Sequence, residues 1–575
     1  MNQERSRFLD SRLVRVLFSP ITKLSGYIRS LPPSDKAIAV VLGGLVIVVS
    51  IASLFVFTRS LLVEVPARGG TLTEGSVGTP RFVNPLLALT DADRDLVALT
   101  YAGLMGIGPE GSLVPVLAAR YEVSEDGKIY TFTLRDNATF SDNTPVTADD
   151  VVFTIQKAQD GGLKSPEYSN WASIRAEVVD TRIVRFTLPK PYAPFLADTT
   201  LGILPAHLWR NIPNDQFPFS PLMQRPVGAG PFKVVKVVEN DEGVVTEYEL
   251  KAHKGFALGR PYLDTIRVRF FETATLLQGA YKSGRVESAY GIDVPGALRA
   301  PYSRVFGVFF NKKDNKALGE IEVRKALSIA VDREHIVTDL LGGYATPLFG
   351  PVSSGNGITP PTLPNPATRI EDAKQTLIRN GWAFNESAGT WKNKKEKLSI
   401  DTVTIRTSNV PELKAIATAV QADWQALGVP TAVEFYEPGD LTQEVIRPRA
   451  YDALLFGMVV GREQDLYAFW DSGEQTDPGL NIASYANTAV DALLEKARST
   501  SDPDKVRGYI QSASDKIAAD YPAAFTHAPD FLYAIPKTLY GVNLPQIAAP
   551  SDRFALVATW YKERAYVWPF LVQGH

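Results

Sequence analysis

One segment near the N-terminus restricts the architecture of this chain more than any other feature. Residues 37–57 (AIAVVLGGLVIVVSIASLFVF) form an uninterrupted run of 21 residues without a charged side chain. At a rise of about 1.5 Å per residue, a helix of this length spans about 31 Å, which matches the hydrocarbon core of a bilayer. The run therefore predicts a transmembrane helix, and residues 58–68 are predicted to link it to the rest of the chain.

The charges on either side of this run predict its orientation. Residues 1–36 carry seven basic and three acidic side chains, whereas the whole chain has a net charge of −3. Because basic residues remain preferentially on the cytoplasmic side, we expect a cytoplasmic segment at 1–36 and an uncleaved, single-pass signal-anchor in the cell membrane. The binding domain is then extracytoplasmic. The alternative is a cleaved signal peptide, although the small-residue cleavage candidate at 65–67 lies well past the apolar run.

The overall composition is that of a globular protein with more than one core. Apolar residues make up 45% of the chain and charged residues 21%, and 575 residues are too many for a single core. Cysteine is absent, which excludes disulfides, iron–sulfur clusters and thiolate zinc sites. The slightly negative net charge argues against a nucleic-acid partner.

The chemically reactive residues form no recognisable catalytic or metal-binding pattern. The five histidines are scattered, and no GxSxG, Walker A or HExxH motif is present. The sequence GIGPEG at 106–111 matches GxGxxG literally, but Pro109 removes an amide that a phosphate-binding loop needs. Asp149 and Asp150 are predicted to cap a helix rather than act as an acid–base pair, because Thr147 and Asp150 have the spacing of a capping box. We therefore expect no catalytic residues, no cofactor and no metal.

Two separated segments carry a family resemblance. The first, over residues 70–160, includes GGTLTEGSVGTPRFVN and YEVSEDGKIYTFTLRDNATFSDNTPVTADDVVFTI. The second comprises RVFGVFFN at 304–311 and EVRKALSIAVDRE at 322–334, and VGAGPF at 227–232 is similar to the family's glycine-proline turn. In these segments the chain resembles the extracytoplasmic peptide-binding components of ABC importers, the dipeptide/oligopeptide (family 5) class. The chain lacks the cysteine that carries a lipid anchor in many members.

The resemblance covers roughly residues 69–545 and implies the fold. We expect an α/β protein with two lobes of the periplasmic-binding-protein type, an extra subdomain in the first lobe and one transmembrane helix before them. The predicted parts are a first lobe at 69–304 with its subdomain at about 99–204, a second lobe at 305–530, and a C-terminal return to the first lobe at 531–575.

The resemblance also implies where a ligand lies. In this class an extended peptide lies between the lobes and pairs its backbone with strands. Because alternate residues of a strand face opposite ways, one of Phe309 and Phe310 is expected to face the cleft. The candidate ligand-binding residues are Phe82, Asn84, Phe309, Phe310, Asn311, Gly457, Met458, Arg462, Glu463 and Asp465.

One of these positions departs from the family pattern. A carboxylate that follows a Gly-Trp pair typically anchors the peptide's α-ammonium in this class, but here Met458 follows Gly457 and no aspartate comes next. Glu463 and Asp465 are the remaining candidates for that carboxylate, although Asp465-Leu-Tyr is more similar to the family's downstream Asp-Pro-Tyr segment. Arg462 fits a ligand carboxylate or phosphate, and it fits equally well as a surface residue at a loop tip.

The resemblance therefore predicts a non-enzymatic function. We expect a monomeric, membrane-anchored solute-binding protein that captures oligopeptides or peptide-like solutes and delivers them to the permease subunits of an ABC transporter. Three alternatives remain: a peptide sensor that takes no part in transport, a receptor for a non-peptide solute, and a hydrolase or chaperone that uses the cleft on peptides.

Overall fold

The structure is a computed structural model that describes residues 32–313, 315–353, 358–359, 361–461, 464–500 and 502–572. The chain divides into two compact units, of which the first comprises Met1–Ala67 with Glu563–His575 and the second comprises Arg68–Lys562.

Helices and strands alternate through most of the chain. The longer helices are α1 (Pro33–Ser60), α2 (Asp91–Thr100), α3 (Ala148–Ala158), α4 (Ala274–Lys282), α5 (Ile321–Ala330), α6 (Arg369–Arg379), α7 (Pro411–Leu427), α8 (Thr488–Ser499) and α9 (Pro503–Asp520). The strands are β1 (Val63–Ala67), β2 (Thr71–Val77), β3 (Met105–Ile107), β4 (Leu113–Pro115), β5 (Ala118–Val123), β6 (Ile129–Leu134), β7 (Arg175–Asp180), β8 (Ile183–Thr187), β9 (Phe232–Glu239), β10 (Val245–Ala252), β11 (Thr265–Phe271), β12 (Ser288–Tyr290), β13 (Leu298–Pro301), β14 (Arg304–Phe310), β15 (Ala345–Pro347), β16 (Trp382–Asn385), β17 (Thr390–Asn393), β18 (Leu398–Ser399), β19 (Val403–Ser408), β20 (Thr431–Tyr436), β21 (Ala453–Val459), β22 (Ala523–Ala534) and β23 (Glu563–Val567).

The first unit consists of an exposed apolar helix and a two-stranded ribbon. The predicted span at 37–57 lies within α1, whose segment Pro33–Phe55 is long and apolar enough to cross a membrane and contains no buried residue. A signal sequence near the N-terminus has the same properties. Strand β1 pairs antiparallel with β23, from Val63 opposite Val567 to Ala67 opposite Glu563.

In the second unit one large sheet runs through both lobes, and β22 is the strand that the two lobes share. The strand order is β20-β19-β21-β14-β22-β12-β2-β11-β10-β9. The first part of β22 pairs with β14, and its last part pairs with β12 and β13. The chain therefore passes between the lobes within β22 and again between β13 and β14. The lobe boundaries at residues 304 and 530 stay predictions.

The second-lobe part of the sheet is covered on both faces. One face packs against α5, α6 and α7 through a core that includes Phe310 and Trp424. The opposite face packs against α8 and α9 through a core that includes Phe309 and Trp470. The adjoining strands β19, β20 and β21 run parallel to one another, which is typical of α/β proteins whose sheets are covered on both sides.

The predicted subdomain contains its own small sheet in the order β5-β6-β8-β7, with α3 packed against it. The capping role predicted for Asp150 is confirmed: its Oδ2 accepts hydrogen bonds from the backbone N–H of Thr147 at 2.9 Å and the hydroxyl of Thr147 at 2.7 Å. Its Oδ1 accepts another from the N–H of Ala206 at 2.8 Å. With both oxygens engaged, Asp150 is a structural residue.

The glycines of the VGAGPF turn allow the chain to pass close to the end of α2. A Cβ added to Gly228 would lie 2.1 Å from the carbonyl oxygen of Thr100, and one added to Gly230 would lie 2.4 Å from its carbonyl carbon. The N–H of Gly230 donates to the same oxygen at 2.9 Å. Close backbone contact thus explains why glycine occupies both positions.

Candidate functional site

A cavity of about 770 Å³ lies between the two lobes. Most of its walls are apolar or aromatic, and the charged residues that border it are Glu110, Asp465, Arg498 and Arg507. The first lobe contributes Leu113, Tyr121, Tyr130 and Leu196, and the second lobe contributes Val506 and Ile510 from α9. A concave, largely apolar space with few polar groups is the usual form of a ligand site.

An ion pair between Asp465 and Arg498 forms part of the second-lobe wall. The Oδ2 atom of Asp465 accepts hydrogen bonds from Nε of Arg498 at 2.8 Å and from Nη2 at 2.6 Å. Both side chains are about one quarter exposed. Although burial acts to lower the pKa of Arg498, its hydrogen bond and attraction to Asp465 outweigh that effect, so its pKa is raised.

Arg498 is also the residue through which the lobes touch beside the cavity. Its carbonyl oxygen accepts a hydrogen bond from the N–H of Ala193, in the first lobe, at 2.7 Å. Its guanidinium lies 3.9 Å from the ring centroid of Tyr467 in its own lobe and 5.7 Å from that of Tyr192 in the other. Of these two cation–π contacts, the one with Tyr192 joins the two lobes.

Asp198 lies in the first lobe immediately after two residues that line the cavity. It ends the short helix Phe195–Asp198, and its Oδ2 is buried without a hydrogen-bond partner among the described residues. Burial raises the pKa of Asp198 to about 7, the nearby carboxylate of Glu167 adds to this effect, and Arg498 opposes it. The charged form of Asp198 is therefore disfavoured where it lies.

The GIGPEG segment borders the cavity as a hairpin. Strands β3 and β4 pair antiparallel, and the N–H of Gly108 donates to the carbonyl of Ser112 at 2.8 Å across the turn. Gly111 and Ser112 at the tip line the cavity. Nothing in the sequence indicates that this turn lies beside the candidate site.

The two candidates in the first lobe lie in packed surroundings away from the cavity walls. Phe82 is half-buried, and its N–H donates to Oδ1 of Asp93 at 2.8 Å. Asn84 is fully buried, and its Oδ1 accepts from the N–H of Leu86 at 2.9 Å, while Nδ2 has no partner among the described residues. Their role in ligand binding stays a prediction.

The expectation that one of Phe309 and Phe310 faces the cleft is wrong for this structure. The two side chains do point to opposite faces of β14, but both are fully buried. Phe310 stacks on Trp424 at a centroid distance of 6.0 Å, and Phe309 lies 6.2 Å from Trp470. Because helices cover both faces of this sheet, neither ring reaches an open surface.

Three further candidates on the second lobe make contacts within the folded protein. The Nδ2 of Asn311 donates to the carbonyl of Arg449 at 2.8 Å, which ties the end of β14 to a neighbouring loop. Gly457 lies opposite Phe306, whose ring would be 2.7 Å from an added Cβ. Met458 is buried in the core. None of these three residues lines the cavity.

Of the remaining candidates, Asp465 is the one that the structure places at the cavity, because Arg462 and Glu463 lie outside the described residues. Tyr192, Arg498 and the wall residues of α9 are not among the residues predicted from the sequence. Arg498 stands in the last turn of α8, where a basic side chain is ordinary, so no local signal distinguishes it. Among the described residues no cluster of metal-ligating side chains is found.

The comparisons with known proteins agree with this arrangement. The family model described as "Bacterial extracellular solute-binding proteins, family 5 Middle" matches residues 112–478, more than half of the chain. The chain is 26% identical over 496 residues to the oligopeptide-binding protein AppA of Bacillus subtilis, with 83% of this chain and 89% of that protein covered.

Two solved structures extend the likeness to three dimensions. The oligopeptide-binding protein AppA from Bacillus subtilis, in complex with a nonapeptide, matches with a TM-score of 0.66 at 26% identity, covering 87% of this chain and 100% of that chain. NikZ from Campylobacter jejuni, in complex with Ni(L-His), matches with a TM-score of 0.67 at 26% identity, covering 86% and 99%.

The fold and the interlobe cavity define a two-lobed α/β binding protein of the periplasmic type, as the sequence predicted. The chain belongs to the bacterial extracellular solute-binding proteins of family 5. The family and these neighbours are binding proteins by name.

Proposed function

We propose that this protein is a membrane-anchored extracytoplasmic receptor, which captures oligopeptides or peptide-like solutes between its lobes and delivers them to an ABC permease. The observation that carries the proposal is the cavity of about 770 Å³ with walls from both lobes. Its volume is within the range of about 300–1,000 Å³ that is common for ligand pockets. The peptide-binding relatives named above support the ligand class.

The residues around the cavity suit a mechanism of lobe closure. The hydrogen bond from Ala193 to Arg498 and the contact between Tyr192 and the Arg498 guanidinium join opposite lobes, so both depend on closure. A ligand that contacts both walls favours the same arrangement and shifts the population toward it. The closed form is then the one that a permease recognises.

The ion pair at the cavity wall supplies the chemistry for a zwitterionic ligand. Oδ2 of Asp465 accepts hydrogen bonds from Arg498, and Oδ1 accepts one from the N–H of Tyr467 at 3.1 Å. Because a carboxylate oxygen can accept two hydrogen bonds, Oδ1 can also accept one from a ligand ammonium. The guanidinium of Arg498 is a partner for a ligand carboxylate. In this proposal Asp465 takes the role of the aspartate that is missing after Met458.

Native mass spectrometry of the full-length protein, purified without refolding from its own or a related host, tests the ligand class. We expect a series of bound masses that fragment as peptides. One non-peptide mass would contradict a peptide receptor and identify a dedicated solute. A protein that carries nothing and ignores peptide mixtures would contradict solute capture altogether.

The substitution Val506→Trp tests whether the cavity is the binding site. Val506 lines the cavity from α9, so the larger indole should occupy ligand space and weaken the binding of the recovered peptides by about tenfold or more. The matched control is Ala519→Trp, at an exposed position of the same helix. Equal calorimetric affinities of the two variants would place the ligand elsewhere.

The anchor is tested by the mass of the mature protein in membranes. If α1 remains as a transmembrane helix, the mature chain retains residues upstream of position 37 and sediments with the membrane fraction. A mature chain that begins near Arg68 and is found in membrane-free fractions would show a cleaved signal peptide instead.

A further inference from the structure

The ribbon that follows α1 brings the C-terminal segment back toward the end of that helix. Val63 follows Ser60, the last residue of α1, by three residues, which amounts to at most about 10 Å of extended chain. Val567 pairs with Val63, and the strands are antiparallel. The chain beyond Val567 therefore continues in the direction of the helix end.

The two ends of this ribbon differ in polarity. At the end near α1, the side chains of Leu61, Val63, Trp568 and Phe570 are exposed by 43%, 42%, 38% and 71%. At the other end Glu563 is exposed, and between the two ends Nη1 of Arg564 donates to Glu64 at 2.8 Å. The apolar groups thus concentrate at the end that follows the helix.

We propose that the segment from Trp568 to Phe570 is a second membrane contact, which lies in the interfacial region of the outer leaflet beside the end of α1. This inference rests on the proposed anchoring of α1. Tryptophan and other amphipathic aromatic side chains concentrate at membrane–water interfaces, and exposed apolar clusters mark interaction surfaces. The rings of Trp568 and Phe570 lie side by side, with centroids 6.3 Å apart and planes inclined by 17°.

A lipid surface suits this cluster better than a protein partner for a geometric reason. If α1 spans the bilayer, its last residues lie at the interface, and the register of β1 with β23 keeps Trp568 close to that level. The ribbon then has two attachments to the membrane, one through α1 and one through the C-terminal segment. Two attachments restrict the tilt of the ribbon more than a single helix does.

The absence of native cysteine makes a depth measurement unambiguous, because one introduced thiol carries the only label. Full-length Phe570→Cys, labelled with an environment-sensitive fluorophore, is reconstituted in phosphatidylcholine–phosphatidylglycerol vesicles. We expect quenching by shallow nitroxide lipids that exceeds, by about threefold or more, the quenching at Glu563→Cys, at the far end of β23. Trp568→Cys repeats the comparison with the Phe570 ring intact.

A label at Leu45→Cys, within α1, separates the two ways in which the prediction fails. In the first, deep nitroxide lipids quench the label at Leu45→Cys, but only a water-soluble quencher reaches the labels at Phe570→Cys and Trp568→Cys. This result would overturn the second contact and leave the anchor intact. Failure of lipid nitroxides to quench Leu45→Cys would overturn the anchor and the second contact together.

Discussion

Replacing Arg553 by methionine is expected to lower the free energy of unfolding by about 3–5 kcal/mol, because it leaves buried carboxylates without their cation. Arg553, Glu74 and Asp95 are each 0% exposed. Nη1 and Nη2 of Arg553 donate to the two oxygens of Asp95 at 2.7 and 2.6 Å, and Nε donates to Glu74 at 3.0 Å. This triad joins β2, α2 and the C-terminal part of the second unit.

The remaining contacts explain why the ionised form persists in this core. Although burial acts to lower the pKa of Arg553, the attraction of Asp95 and Glu74 outweighs it, so its pKa is raised. Glu74 also accepts hydrogen bonds from Tyr533, at 2.8 Å, and from Ser288. A methionine replaces the stem of the arginine but none of its donors.

Urea unfolding of the full-length protein measures this effect. The control is Arg175→Met, since the side chain of Arg175 is 77% exposed in its pair with Glu177, and exposed pairs contribute about 0–1 kcal/mol. The double variant Arg553→Met with Asp95→Asn should recover part of the loss, because one uncompensated charge is removed. Similar midpoints for Arg553→Met and Arg175→Met would show that the triad does not stabilise the fold.

The features that sequence patterns predict correctly are helix ends and helix faces, which depend on residues close together in the sequence. Apolar residues at positions 413, 416, 420, 424 and 427 are typical of one helix face ending before Gly428, and α7 ends at Leu427 with Gly428 at φ 93°. Asp502 followed by Pro503 is typical of a helix start, and Oδ1 of Asp502 accepts from the N–H groups of Asp504 and Lys505. Caps and periodicity involve neighbours in sequence, so one chain suffices to recognise them.

The second family segment illustrates the limit of resemblance as a guide to a site. Its two arginines are buried and bind backbone: Arg324 donates to the carbonyl groups of Leu318, Gly319, Asp520 and Tyr521. Arg333 donates to those of Leu348, Phe525 and Val331. A motif that identifies the family here holds loops in place, and its position alone did not indicate which side chains line the cavity.

The cavity itself depends on contacts between distant parts of the chain. Asp465 and Arg498 are 33 residues apart, and Tyr192 comes from the other lobe. Strand periodicity correctly placed Phe309 and Phe310 on opposite faces, but it carries no information about which helices cover each face. Which helices cover each face is determined only when distant parts of the chain pack together. For this reason the fold could be predicted from the sequence, but Asp465 was the only predicted site residue that lines the cavity.

The substitution Asp198→Asn is expected to raise the free energy of unfolding above about pH 7, by up to about 4 kcal/mol, and to leave it nearly unchanged near pH 4. The pKa of Asp198 is raised to about 7 in the folded protein, mainly by burial, from an ordinary value of 3.8. Between these two values the folded state keeps a proton that the unfolded state releases. Stability therefore falls as the pH rises through this window, and asparagine, which is neutral at every pH, removes the fall.

Unfolding midpoints of full-length Asp198→Asn and the native chain, compared between about pH 4 and pH 8.5, test this dependence. Glu167 raises the pKa of Asp198, whereas Arg498 lowers it. Glu167→Gln should therefore shift the midpoint of the pH dependence to lower pH, and Arg498→Met should shift it to higher pH. A difference for Asp198→Asn that stays constant between pH 4 and pH 8.5 would contradict a neutral, buried Asp198 beside the lobe contact.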